Sequence, residues 1–204
     1  MIQFDEKYCI ETFRRLLAAD STTGNCGEVQ ALTSEIIKEL GFEPVPTHKG
    51  GVTAVISTGE NTEETSGEKA DGGSKYNALA VTAHLDDIGL MVRHINADGT
   101  LNVCPVGGLY PFYCVGENVR IYNRDGKVFT GTVCRTPNSI HVTEEEIRSN
   151  IGDFRTNVCV VLDEDVKKAE DVSALGIQTG DIIALEPRFT MSNGYIRSEE
   201  HTSE

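Results

Sequence analysis

Residues 118–134 read NVRIYNRDGKVFTGTVC, two β-prone runs joined across Asp125-Gly126. An aspartate-glycine pair between alternating apolar residues is a strong short-range hairpin signal, because glycine supplies the positive φ that tight turns require. The same texture lies upstream, where LMVRHI at 90–95, the Asp98-Gly99 turn and LNVC at 101–104 repeat it. Downstream, NVCVVLD at 157–163 is a further apolar strand. It leads into a helix carrying Val166, Val172 and Leu175 that stops at Gly176. Short strands with tight turns predict a small β-barrel or sandwich from about residue 89. Thr143 and Glu146 have the spacing of a capping box, which predicts one helical turn among the strands.

The region before residue 89 has a different pattern. Ile10, Phe13, Leu16 and Leu17 fall on one stripe of a helix over 5–19, with Asp5 as its cap. Val29, Leu32, Ile36 and Leu40 repeat the stripe over 27–40, and Gly41 ends it. Val52–Ser57 and Ala78–Ala83 read as buried strands, separated by the polar, glycine-rich stretch 58–77. Two helices and two apolar strands predict one side of an α/β layer structure.

The totals fit a globular chain and narrow its partners. The 204 residues are 39% hydrophobic and 25% charged, ordinary values for a packed domain. A formal charge of -14, from 32 acidic and 18 basic side chains, argues against nucleic acid or an anionic membrane as partner. No run approaches the ~20 apolar residues of a membrane span. Six cysteines without a C-x-x-C pair suit reduced thiols in a cytoplasm better than a disulfide framework or a thiolate-zinc site.

The chemistry concentrates in AHLDDIG at 83–89, at the end of the second apolar run. On a strand, alternation sends His84 and Asp86 to one face and Leu85 to the other. A neutral imidazole there is able to hold a divalent metal, and a carboxylate two residues on is placed to fix the ring's tautomer. Taken alone, H-x-D also fits a histidine-aspartate hydrogen bond that closes a strand end. His48, His94 and His141 read as loop or barrel positions, and Asp5, Asp20 and Glu28 as capping and surface groups.

Taken together, these segments resemble family forty-two of the metallopeptidases, the glutamyl, deblocking and tetrahedral aminopeptidases. AHLDDIG matches that family's A-H-x-D-E-I-G strand end, with Asp87 where glutamate is usual. MVRHINADG at 91–99 and PVGG at 105–108 match the strand, turn and P-[IV]-G-G segment that follow. The 118–134 hairpin resembles the family's barrel hairpin, LGIQTGDIIALEPRF at 175–189 its return into the catalytic domain, and NGYI at 193–196 its next strand.

The resemblance implies a partial zinc-exopeptidase-type α/β/α catalytic domain interrupted by a small β-barrel. Residues 1–88 form the N-terminal part of the catalytic domain, 89–181 the inserted barrel used for oligomerisation, and 182–196 the return strand. By motif, His84 is implied as a ligand of the first metal and Asp86 as its neighbouring catalytic carboxylate. Two divalent ions, zinc or cobalt, are the implied cofactors, peptides the substrates, and a homo-oligomer built through the barrel the assembly. The family's bridging aspartate, Glu-Glu pair and final histidine have no matching position. Residues 197–204, RSEEHTSE, are identical to a one-frame translation of a common sequencing adapter and read as a tail derived from it. The expectation is an inactive N-terminal fragment of an aminopeptidase. The alternative is a non-catalytic oligomerisation or peptide-binding module.

Overall fold

The computed structural model describes residues 4–56, 80–136 and 152–198. Within it the hairpin read from 118–134 is the wall of a closed barrel. The strands are β3 (Gly89–Ile95), β4 (Leu101–Val106), β5 (Asn118–Tyr122), β6 (Val128–Arg135), β7 (Val158–Leu162) and β8 (Ile182–Leu185). They close in the order β3-β4-β7-β6-β5-β8, and every pairing is antiparallel. Closure removes the exposed strand edges that would otherwise recruit other chains.

Alternation explains what fills the barrel. Leu90 and Val92, Leu101 and Val103, Val119 and Ile121, and Val158 and Val160 are spaced two apart and all essentially inaccessible. Ile183 and Val133 complete the interior layer, and Val172 and Ile177 pack against it from the connection before β8. Val172 belongs to a short helix, Ala169–Ala174, which ends at Gly176 with φ 85°, as the glycine stop requires.

The family resemblance implied 182–196 as a return strand of the catalytic domain. Ile182–Leu185 instead forms the sixth barrel strand, paired with both β3 and β5. Without it β3 and β5 would each keep an open edge. After β8, the hairpin of β9 (Phe189–Ser192) with β10 (Tyr195–Ser198) lies outside the barrel sheet.

Asp181, at the mouth of β8, is 2% exposed. The Gln178 amide donates to its Oδ2 at 2.9 Å, whereas Oδ1 finds no hydrogen-bond donor among the described residues and has Arg124 Nε at 4.0 Å. Burial pushes this carboxyl above the ordinary carboxylate range. Between the unfolded pKa of about 3.9 and the raised folded value, the native state therefore binds more protons than the unfolded one. Stability attributable to Asp181 is present below that window and falls as pH rises through it. Urea unfolding across mildly acidic pH is expected to show this decline in the wild type and a flatter profile in Asp181→Asn.

Two helices, α1 (Glu6–Ala18) and α2 (Gly27–Glu39), precede the barrel as patterning predicted. Asp5 caps α1 by accepting the Tyr8 amide at 2.9 Å, and Gly41 with φ 86° follows α2. Arg15 forks onto Glu39 at 3.0 and 3.2 Å, joining the helices. Phe13 meets Phe189 edge-on at 6.1 Å between centroids, over which Arg14 also lies.

The strand predicted at Ala78–Ala83 is absent where the chain is described. Residues 80–83 carry no regular secondary structure, and Val81 is 88% exposed. A buried strand needs a hydrogen-bonding neighbour at its edge and cover on its faces, and the described residues supply neither here. Of the other early run, only Val52–Thr53 pairs, with Val45–Pro46. The 58–77 loop, His141 and the capping box at Thr143 and Glu146 lie outside the described residues, as do Glu199, Glu200 and His201.

Candidate functional site

The AHLDDIG segment is held by the connection between α1 and α2. Thr22 and Asp87 form a parallel bridge. The Asp87 amide donates to Ser21 O at 2.9 Å, and the Thr23 amide donates to Asp87 O at 3.1 Å. Thr23 Oγ1 then donates to Asp86 Oδ2 at 2.7 Å. Residues 21–23 thus act as a shelf against which the site segment lies. Asp87 spends its carboxylate on its own neighbour, accepting the Ile88 amide at 2.7 Å.

His84 is fixed from within the segment. Its Nδ1 lies 2.7 Å from the backbone oxygen of Asp86, while the Asp86 carboxylate stands at 3.5 Å. A carbonyl accepts only, so Nδ1 carries the proton in the neutral ring and the lone pair resides on Nε2. That is the tautomer a metal-ligating histidine needs. The sequence expected the Asp86 carboxylate to orient the ring through strand alternation. The Asp86 carbonyl occupies that place instead, and Thr23 engages the carboxylate.

His84, Leu85 and Asp86 form part of the walls of two clefts. One, about 200 Å³, runs between α1 and the barrel and is lined by Leu16, Val29, Asp87 and Leu185. The other, about 470 Å³, opens toward Cys26, Thr33 and the 49–52 turn. The His84 side chain is 79% exposed and that of Asp86 42%. Among the described residues no group of three or more histidine, cysteine, aspartate or glutamate side chains is placed to hold a metal. His84 and Asp86 fit part of one metal site, and a two-metal centre needs donors beyond them. His48 and His94 are exposed, and neither lines these two clefts.

Sequence reasoning took Asp20 for a capping or surface group; it is buried, at 5% exposure. Arg120 Nε donates to Asp20 Oδ2 at 2.6 Å, a second guanidinium nitrogen donates to Oδ1, and the Tyr122 hydroxyl donates to Oδ2. Arg120 and Tyr122 are alternate residues of β5, so both reach the same carboxylate. The bond from Asp20 holds the Arg120 pKa up; burial, then the same carboxylate, raises that of Tyr122. Asp20 is the residue before the shelf, so this ion pair clamps the shelf to the barrel. The pairing spans about 100 residues of chain and leaves no local signature that periodicity could reveal.

A second clamp joins Glu117, 8% exposed, to Arg188 at 2.5 Å. It ties the segment after β8 to the turn before β5.

Comparison with known proteins places this arrangement. The sequence pattern of the M42 glutamyl aminopeptidases matches residues 68–200. "Putative aminopeptidase YhfE" of Bacillus subtilis (strain 168) is 33% identical over 190 residues, covering 93% of this chain and 50% of that protein. The "Glutamyl aminopeptidase" of Lactococcus lactis subsp. cremoris is 28% identical, covering 88% and 46%. Among solved structures, the TET aminopeptidase of the marine sediment archaeon Thaumarchaeota archaeon SCGC AB-539-E09 superimposes with a TM-score of 0.71. It is 21% identical and covers 92% of this chain and 47% of its own. The chain spans about half the length of these two curated relatives. The family pattern covers the barrel, the site segment and the return toward β10 in order, and on that match the chain belongs to the M42 glutamyl aminopeptidase family.

Proposed function

We propose that this chain contributes the first metal-binding segment and the barrel of a metal-dependent aminopeptidase that removes N-terminal residues from peptides. The observation that carries the reading is the His84 ring, whose Nδ1 is engaged by the Asp86 carbonyl so that Nε2 holds the lone pair. His84 is the metal ligand in this reading. Asp86, braced by Thr23, is the neighbouring carboxylate of the site.

Zinc or cobalt bound there would polarise a peptide carbonyl and lower the pKa of a coordinated water. The chain's own part is to present the imidazole in one tautomer, hold Asp86 beside it, and form one side of the substrate cleft. A pair of ions requires donors that the described residues do not bring together. The 204-residue chain by itself is therefore proposed to be inactive.

Self-association through the barrel belongs to the same proposal. A structural neighbour 18% identical to this chain is described as a dodecamer, and its barrel-containing fold aligns over 91% of this chain. All six cysteines are free thiols, in keeping with a reducing, cytoplasmic setting.

The test is hydrolysis of aminoacyl chromogenic substrates with added cobalt or zinc. The 204-residue chain is expected to show no turnover. A hybrid joining residues 1–196 to the remaining half of the Bacillus subtilis relative is expected to turn over, and His84→Ala in that hybrid to lose at least about 100-fold, as for deletion of a metal ligand. Full activity of the His84→Ala hybrid would overturn the assignment.

A further inference from the structure

The outer wall of the barrel carries a pair of thiols that the aminopeptidase reading does not use. Cys134 of β6 and Cys159 of β7 are direct register partners. Along the same ladder the Thr136 amide donates to Asn157 O and the Asp163 amide to Thr130 O, each at 2.9 Å. Counting by twos between these two bonds places Cys134 opposite Cys159 at a hydrogen-bonded position. Such partners have Cα atoms about 5.5 Å apart, inside the roughly 4.4–6.8 Å span that a disulfide bridges.

Both side chains lie on the outer face, because Val133, Val158 and Val160 on either side of them fill the interior. Cys134 is partly exposed and Cys159 is 6% exposed. The two therefore differ in access: one meets solvent, and its partner waits behind it. Hydrogen-bonded cross-strand positions hold their Cβ atoms farther apart than the alternate positions do. A bridge here is consequently strained, and strained bridges are the readily reduced ones.

We propose that Cys134 and Cys159 form a thiol–disulfide exchange site that takes small organic disulfides and closes to a reversible cross-strand disulfide. The Cys134 thiolate attacks one sulfur of the small disulfide, forming a mixed disulfide and expelling one small thiolate. The Cys159 thiolate then attacks the Cys134 sulfur, forming the protein disulfide and expelling the second. Two protein thiols are oxidised, one small disulfide is reduced to two thiols, and the two protons pass to those thiols. Burial, then the neighbouring Cys159, raises the Cys134 thiol, and burial raises Cys159. The Thr136 hydroxyl acts the other way on Cys159, favouring its thiolate. Exchange is therefore slow at neutral pH and accelerates as the solution becomes alkaline.

The experiment is a tryptic map, without reduction, of the native 204-residue chain after incubation with oxidised glutathione at mildly alkaline pH. Cleavage after Lys127, Arg135, Arg155 and Lys167 isolates each cysteine in its own peptide, 128–135 and 156–167. The expected product is these two peptides joined, with loss of two of the six thiols and their return on mild dithiol treatment. Cys159→Ser is expected to stop at a glutathione adduct on Cys134. A wild-type map in which Cys134 stays unmodified, keeps its glutathione, or is bridged to Cys104 instead would overturn the proposal.

Discussion

Arg120→Ala is expected to destabilise the folded chain by about 3–5 kcal/mol, the range for removing one partner of a buried ion pair. The cost arises from what is left behind. Asp20 is 5% exposed, and without the guanidinium its carboxylate keeps only the Tyr122 hydroxyl among its side-chain donors. Removing Asp20 instead should cost less, since the Arg120 side chain is 27% exposed and its charge can reach water. Arg120→Lys retains the charge but loses the two-pronged geometry, and should fall between wild type and alanine. Replacing both residues by leucine should recover much of the loss, because no buried charge then remains. Denaturant midpoints of the four variants decide this order. The effect also has a location: amide exchange at Thr23 and Asp87, whose amides bridge the shelf and the site segment, is expected to speed up in Arg120→Ala.

Gly89→Ala is expected to cost about 3 kcal/mol, the upper part of the usual range for overpacking. A Cβ at this position would lie 2.6 Å from both Thr22 Oγ1 and Thr22 Cγ2, and 2.7 Å from the carbonyl oxygen of Ile183. Thr22 is 2% exposed and belongs to the shelf, and Ile183 belongs to β8, so neither gives way without moving an element. The small gain from restricting the unfolded chain, about 0.4–1 kcal/mol, does not offset that. Thr22→Ala on the Gly89→Ala background should relieve two of the three contacts and recover part of the stability. Calorimetric melting of the single and double variants measures it. Glycine at 89 is where the site segment passes into the barrel, and the close approach of three elements there leaves no room for a side chain.

The two mutations address one architectural idea from opposite sides. The barrel holds the main hydrophobic core, and the shelf at 21–23 is docked onto it by Asp20 at one end and by the tight passage at Gly89 at the other. His84 and Asp86 are positioned by that shelf.

How much of this was legible depended on how local the cause was. The hairpins at Asp98-Gly99 and Asp125-Gly126 were legible because turn and strand signals sit within a few residues of each other. So were the Asp5 cap and the glycine stops at 41 and 176. His84 and Asp86 stand out as candidates by spacing and by resemblance, but the way they are held has no signature in the sequence. The Asp86 carbonyl takes the place that alternation gave to the carboxylate, and the Thr23 hydroxyl reaches that carboxylate across 63 residues of chain. Ala78–Ala83 misled for a physical reason: an apolar run becomes a strand only where neighbours pair with it and cover it. Ile182–Leu185 was recognised as a strand, but its partners β3 and β5 lie some 60–90 residues away in sequence, and no local signal names them. Asp20 was missed on the same grounds, and the clamp is the part of the site's support that sequence reasoning could not reach.

In the proposed function His84 offers Nε2 to a metal because Nδ1 is committed to the Asp86 carbonyl. Long-range nitrogen-proton NMR of the imidazoles during a zinc titration tests it directly. The expected result is the neutral His84 ring with its proton on Nδ1 and a zinc-dependent shift at Nε2, with His94 unmoved. A His84 ring protonated at Nε2, or one that zinc leaves unchanged, would contradict it.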